Sequence, residues 1–82
     1  MKISIFLFAG LAERLGTSRI TFDYSESPLT PERLKQLLSN AYPDAAPLLS
    51  AALVAVNQEY AVADYPIQET DEIALIPPVS GG

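Results

Sequence analysis

Eighty-two residues, 49% of them apolar, suffice for one domain with one core, and the apolar residues are spread along the chain as in a globular protein. With no cysteine and no histidine, the chain has no disulfide framework, no thiolate zinc site and no imidazole to act as general base or metal ligand. Ten acidic residues against five basic ones, a net charge of −5, speak against nucleic acid, whose phosphates need Lys and Arg, and fit either basic protein surfaces as partners or a charge that only keeps the chain soluble.

The opening residues 2–8 alternate as a strand, with Ile3, Ile5 and Leu7 on one face and Lys2, Ser4, Phe6 and Phe8 on the other. They run into Glu13 and Arg14 without a small-residue cleavage site, so they read as a strand of a cytoplasmic protein and not as a secretory leader. No apolar run approaches the ~20 residues that span a bilayer, and no membrane is expected. Residues 9–16 hold a short helical turn with Leu11 and Leu15 on one side and Gly16 where it stops. Residues 19–24 alternate again, Ile20, Phe22 and Tyr24 sharing a face, and pair with the first strand across a long connection. The best-marked element is a helix over 31–41. Thr30 suits its N-cap, Pro31 its first position and Glu32 its first turn, while Leu34, Leu37, Leu38 and Ala41 form one apolar stripe and Pro43 ends it. Residues 44–50 read as a connector with another helical turn. Residues 52–56 form a strand apolar on both faces, Asn57-Gln58 a tight turn, and residues 59–62 a short strand. Residues 64–71 are a polar loop with Pro66, and residues 72–76 a last strand that Pro77-Pro78 stops.

Strand, strand, helix, strand, short strand, strand is the order of an α+β, ubiquitin-like β-grasp fold: a mixed sheet with one main helix on one face and a flexible C-terminal diglycine tail. Residues 1–76 make the domain and 77–82 the tail. If Ile3, Ile5, Leu7, Val54, Val56, Ile73 and Leu75 pack under the helix, then Phe6, Phe8, Leu53, Ala55, Ala74 and Ile76 face outward. An uncovered apolar face of this kind marks an interaction site.

Side-chain chemistry is scarce. Ser and Thr lack a histidine partner, Lys2 and Lys35 show no sign of the burial that activates an amine, and Gly-rich phosphate loops are absent. Asp64, Glu69, Asp71 and Glu72 cluster without a ligand spacing and read as a solvated loop, so neither a metal nor a cofactor site is expected. What stands out is the ending Pro77-Pro78-Val79-Ser80-Gly81-Gly82. Two final glycines arise by chance in roughly one sequence in 200. The prolines set polyproline geometry, in which six residues span roughly 18 Å. Gly81 and Gly82, without Cβ, let a second protein and a nucleotide come close to the Gly82 carboxylate.

The stretch from Asp71 through Ile76 into Pro-Pro-Val-Ser-Gly-Gly resembles the ending of the small, sulfur-carrying subunit of molybdopterin synthase. Phe8-Ala9-Gly10-Leu11-Ala12-Glu13 with Gly16, and Ala55-Val56-Asn57-Gln58-Glu59, resemble the same family. Family members commonly carry glycine before the Asp-Glu pair and an aromatic before the two prolines; here Thr70 and Ile76 stand there. The resemblance implies that a ubiquitin-activating-type enzyme adenylates the Gly82 carboxylate with Mg-ATP and that a sulfur donor turns it into a thiocarboxylate. The tail, residues 77–82, then enters the large synthase subunit to deliver sulfur to cyclic pyranopterin monophosphate, in a heterotetramer. It also implies partner contacts at Phe8, Tyr60 and Ile76, which join Phe6 and Leu53 of the outward face. The thiamine-pathway sulfur carrier and the ubiquitin-like protein modifiers share the fold and the diglycine and are the rival readings. In the sulfur-carrier reading the Mg-ATP belongs to the activating enzyme, and this chain binds no cofactor of its own.

Overall fold

The computed structural model describes residues 2–25 and 28–77, and within them alternation has become strand and helical spacing helix. Strand β1 (Lys2–Leu7) buries Ile3, Ile5 and Leu7 and turns Lys2, Ser4 and Phe6 the other way. Helix α1 (Ala9–Leu15) buries Leu11 and ends at Gly16, whose φ of 74° is the left-handed conformation a residue without Cβ adopts at least cost. Strand β2 (Arg19–Asp23) returns antiparallel to β1 with Ile20 opposite Ile5. Helix α2 (Pro31–Ala41) starts as its residues dictate: the Thr30 hydroxyl accepts the Arg33 N–H at 3.2 Å, and Pro31 occupies the first turn beside Glu32. Its stripe is shorter than expected. Leu34 and Leu38 are buried and Leu37 half-buried, but Ala41, in the turn that hands the chain to Pro43, is exposed.

The expected connector over 44–50 is almost wholly helical. A 3₁₀ turn, Pro43–Ala45, leads into helix α3 (Ala46–Ala51), and Ala45 and Leu49 enter the core. Lys35 closes α3 from α2: its Nζ donates to the Ser50 and Ala52 carbonyls, each at 3.1 Å, a cation where the helix leaves carbonyls unpaired. Strands β3 (Leu53–Val56) and β4 (Glu59–Tyr60) form a hairpin, and β5 (Ile73–Ile76) completes a sheet of order β2-β1-β5-β3-β4. β5 runs parallel to β1 and antiparallel to β3, so the sheet is mixed and its central strand, β5, pairs with a strand from the opposite end of the described chain. Ile3, Ile5, Leu7, Val54, Val56, Ile73 and Leu75 share one core with Leu34, Leu38 and Leu49. The polar loop adds a residue that its composition hides: Ile67 is buried, and its N–H donates to the Leu29 carbonyl at 2.8 Å. No helix among the described residues is long and apolar enough to cross a membrane.

Candidate docking face and tail root

The sheet face away from α2 is built by register. Phe6 pairs with Ala74, Ala74 with Ala55 and Ala55 with Tyr60, while Arg19 flanks Phe6 on the other side. One row on, Ile76 pairs with Leu53; carried one residue past the β1–β5 ladder and two past the β3–β4 ladder, the same registers set Phe8 beside Ile76 and Val62 beside Leu53. The Ala61 N–H donates to the Val54 carbonyl at 2.9 Å, which extends the β3–β4 ladder toward Val62. Phe6, Phe8, Leu53, Tyr60 and Ile76 therefore lie on one face, as two rows of side chains. Phe8 and Leu53 are each 49% exposed and Tyr60 69%, whereas Phe6 and Ile76 are half-buried.

Three details differ from the sequence expectation. Ala55, expected to face water, is buried: its methyl group sits in an inner strand between Ala74 and Tyr60 and is shaded by longer neighbours. Val62, 67% exposed, belongs to this face and was not among the expected residues; its place two residues after Tyr60 is the signal that would have found it. Arg19 brings a charge to the face, its guanidinium carbon 5.7 Å from the centre of the Phe6 ring, within cation–π range.

The backbone around the face is held in unusual conformations. Ala9, directly after Phe8, has φ 49°, and the hairpin turn has φ 53° at Asn57 and 71° at Gln58, the two left-handed residues that a type I′ turn demands. Asn57 also braces β5. Its Nδ2 donates to Asp71 Oδ1 at 3.0 Å, its Oδ1 accepts the Glu72 N–H at 3.0 Å, and Asp71 Oδ2 accepts the Gln68 N–H at 2.8 Å. The acidic cluster is therefore partly structural: Asp71 ties loop, turn and strand together. Thr70 is absent from the left-handed residues of the described chain, so the turn before Asp71 makes no demand for glycine. Among the described residues, no group of three or more Asp or Glu side chains is arranged to hold a metal ion. Glu69 and Asp71 also lie close enough to Tyr24 to add to the effect of its burial, which raises the phenol above its ordinary pKa of 10.0.

β5 carries Ala74 and Ile76 onto the open face and leads directly to Pro77, the first residue of the expected tail. Pro78, Val79, Ser80, Gly81 and Gly82 lie outside the described residues.

The ThiS family pattern matches residues 5–82. The chain is 41% identical over 83 residues to the molybdopterin synthase sulfur carrier subunit of Dictyostelium discoideum, covering 99% of this chain and 96% of that one. It is 32% identical over 82 residues to the protein of the same name from Arabidopsis thaliana, covering 100% and 84%. Its structure superposes on SAMP1 from Haloferax volcanii with a TM-score of 0.80 at 29% identity, both chains fully covered. For the fold alone, it matches a chain in the complex of subunits 1 and 2 of the molybdopterin-converting factor from Helicobacter pylori, with a TM-score of 0.66 at 18% identity and both chains fully covered. Together with the sheet order, these likenesses establish the ubiquitin-like β-grasp architecture expected from the order of elements. The chain belongs to the ThiS family, among the sulfur carrier subunits of molybdopterin synthase.

Proposed function

We propose that this cytoplasmic chain carries sulfur to the large subunit of molybdopterin synthase on the carboxylate of Gly82. A ubiquitin-activating-type enzyme, which holds the Mg-ATP, adenylates that carboxylate, with pyrophosphate leaving. Sulfur supplied at the sulfide level by a donor displaces AMP and leaves a thiocarboxylate. The large subunit, docked on the open face and paired in a heterotetramer, takes in residues 77–82 and receives sulfur for cyclic pyranopterin monophosphate. The chain supplies no acid, base or cofactor; it supplies a soft nucleophile at the end of an arm. One placement supports this above all: β5 contributes Ala74 and Ile76 to an uncovered apolar face and runs straight into Pro77, so that a protein seated on the face has the tail root beside it. In the Helicobacter pylori protein, subunit 1 is found in complex with subunit 2.

Intact-mass measurement tests the reading. After incubation with an activating enzyme, Mg-ATP and a sulfur source, one oxygen of the chain should be exchanged for sulfur, with fragmentation placing it on Gly82. An unchanged mass under conditions that modify a control carrier overturns it. A second reading, a ubiquitin-like modifier that forms isopeptide bonds, is favoured by the likeness to SAMP1, a protein described as a small archaeal modifier. Ladders of lysine conjugates in extract, lost on deletion of Gly82, would favour that reading over sulfur delivery.

A further inference from the structure

Over Ala74 the open face is not flat. A notch of about 230 Å³ is lined by Phe6, Phe8, Gln58, Glu72 and Ala74. Ala74 is flanked across the strands by Phe6 on one side and by Ala55 on the other, so a ring stands along one wall and a methyl group makes the floor. The space is below the about 300–1,000 Å³ of small-molecule sites and suits one long side chain.

Two observations select the charge of that side chain. Glu72 is exposed, and its backbone is fixed: its N–H donates to Asn57 Oδ1 at 3.0 Å and its carbonyl accepts the Asn57 N–H at 2.8 Å. Its carboxylate, by contrast, has no hydrogen-bond or ion-pair partner among the described residues. Phe6, for its part, already takes a guanidinium. Arg19, its cross-strand neighbour on the β2 side, holds its Cζ 5.7 Å from the ring centre. On the β5 side the notch offers the same ring, a second one from Phe8, and an unpaired negative charge at the rim.

We propose that the notch over Ala74 is the socket for one arginine or lysine side chain of the large subunit, a step that rests on the docking proposed above. The aliphatic stem lies on Ala74 beside the rings of Phe6 and Phe8, and the cationic head meets Glu72. Ala74 stands two residues before Ile76, so a side chain seated there fixes the docked partner relative to the tail root. The interface then has one charge-specified contact inside an otherwise apolar surface, which selects the register of docking as well as its strength.

Calorimetric titration of the full-length chain with the large subunit, at low and at raised salt, tests the socket. Glu72→Arg should weaken binding about tenfold or more and flatten its salt dependence. Ala74→Leu, which fills the notch from below, should weaken binding to a similar degree while keeping the salt dependence. Asp44→Arg, the same charge reversal on the 3₁₀ turn in the helical layer, should leave the dissociation constant within about twofold. Circular dichroism and urea midpoints check that each variant is folded. Unchanged affinity for Glu72→Arg overturns the cationic occupant, since it would mean an apolar side chain in the notch; unchanged affinity for Ala74→Leu overturns the socket itself. A wild-type chain that does not bind the large subunit overturns the docking reading and the socket with it.

Discussion

The two faces of one sheet are made from the same strands and nearly the same residue types, yet only one of them is covered by helices. On the α2 side, Ile5, Ile73 and Leu75 are wholly enclosed. On the other, Phe8, Leu53, Tyr60 and Val62 stand in solvent, beside a carboxylate and a guanidinium. Apolar composition therefore does not distinguish core from open face in this protein; cover does. The helical segments cover one face and leave the other open, and strand alternation assigns each residue to one face or the other.

The sharpest way to break this contrast is on β5, where neighbouring residues belong to opposite faces. Leu75→Ala removes a fully buried side chain and should cost about 2–5 kcal/mol, a large part of the about 5–15 kcal/mol that holds a small domain together. Ile76→Ala should cost about 1 kcal/mol or less in stability while weakening affinity for the large subunit about tenfold. Urea midpoints and titration calorimetry separate the two effects. Equal destabilisation by both substitutions would mean that the outer face is as much a part of the fold as the inner one.

That contrast was largely legible in the sequence. Period-two alternation in residues 2–8 and 72–76 assigned nearly every strand residue to its face, and Thr30-Pro31 with the leucines that follow fixed α2 because caps and stripes are local signals. What escaped was non-local. α3 is six residues long, too short for its period to show, and is held from outside by Lys35. Ile67 looks like any residue of a polar loop until Leu29 is seen beside it. Ala55 is buried by its cross-strand neighbours rather than by its own character. The notch over Ala74 exists only once β1 and β5 lie parallel, a pairing across most of the chain that no local pattern specifies. Arg19 entered the site by the same route.

Backbone strain at the rim of the open face offers a smaller test. Ala9 and Gln58 hold φ values of 49° and 71°, and each sits where a face residue must be aimed: Ala9 after Phe8, Gln58 before the strand that carries Tyr60. A slip of one residue at the hairpin would move Tyr60 to the other side of the sheet. Glycine takes these conformations without a Cβ clash, though it also frees the unfolded chain. Ala9→Gly and Gln58→Gly should therefore each raise stability by about 0.5–1 kcal/mol in urea unfolding. Losses at either site would mean that the side chain contributes more than its backbone conformation costs.

The inner face has its own way of departing from the contrast, seen only at high pH. Its buried residues include none that is charged or polar among those described, apart from the phenol of Tyr24. Burial raises that phenol above 10.0, and the negative charges of Glu69 and Asp71 raise it further. The unfolded chain, whose tyrosines ionise near about pH 10, then releases a proton that the folded chain keeps. Stability from this source is fully present below pH 10 and is lost as pH rises toward the folded-state value. Tyr24→Phe removes the linkage, so its urea midpoint should fall less than that of the wild type between about pH 9 and pH 11. Parallel declines in the two proteins would show that the phenol ionises alike in both states. Because burial is the leading cause, Glu69→Gln should recover only the smaller, electrostatic part of the effect, which separates a core property from one borrowed from the acidic loop.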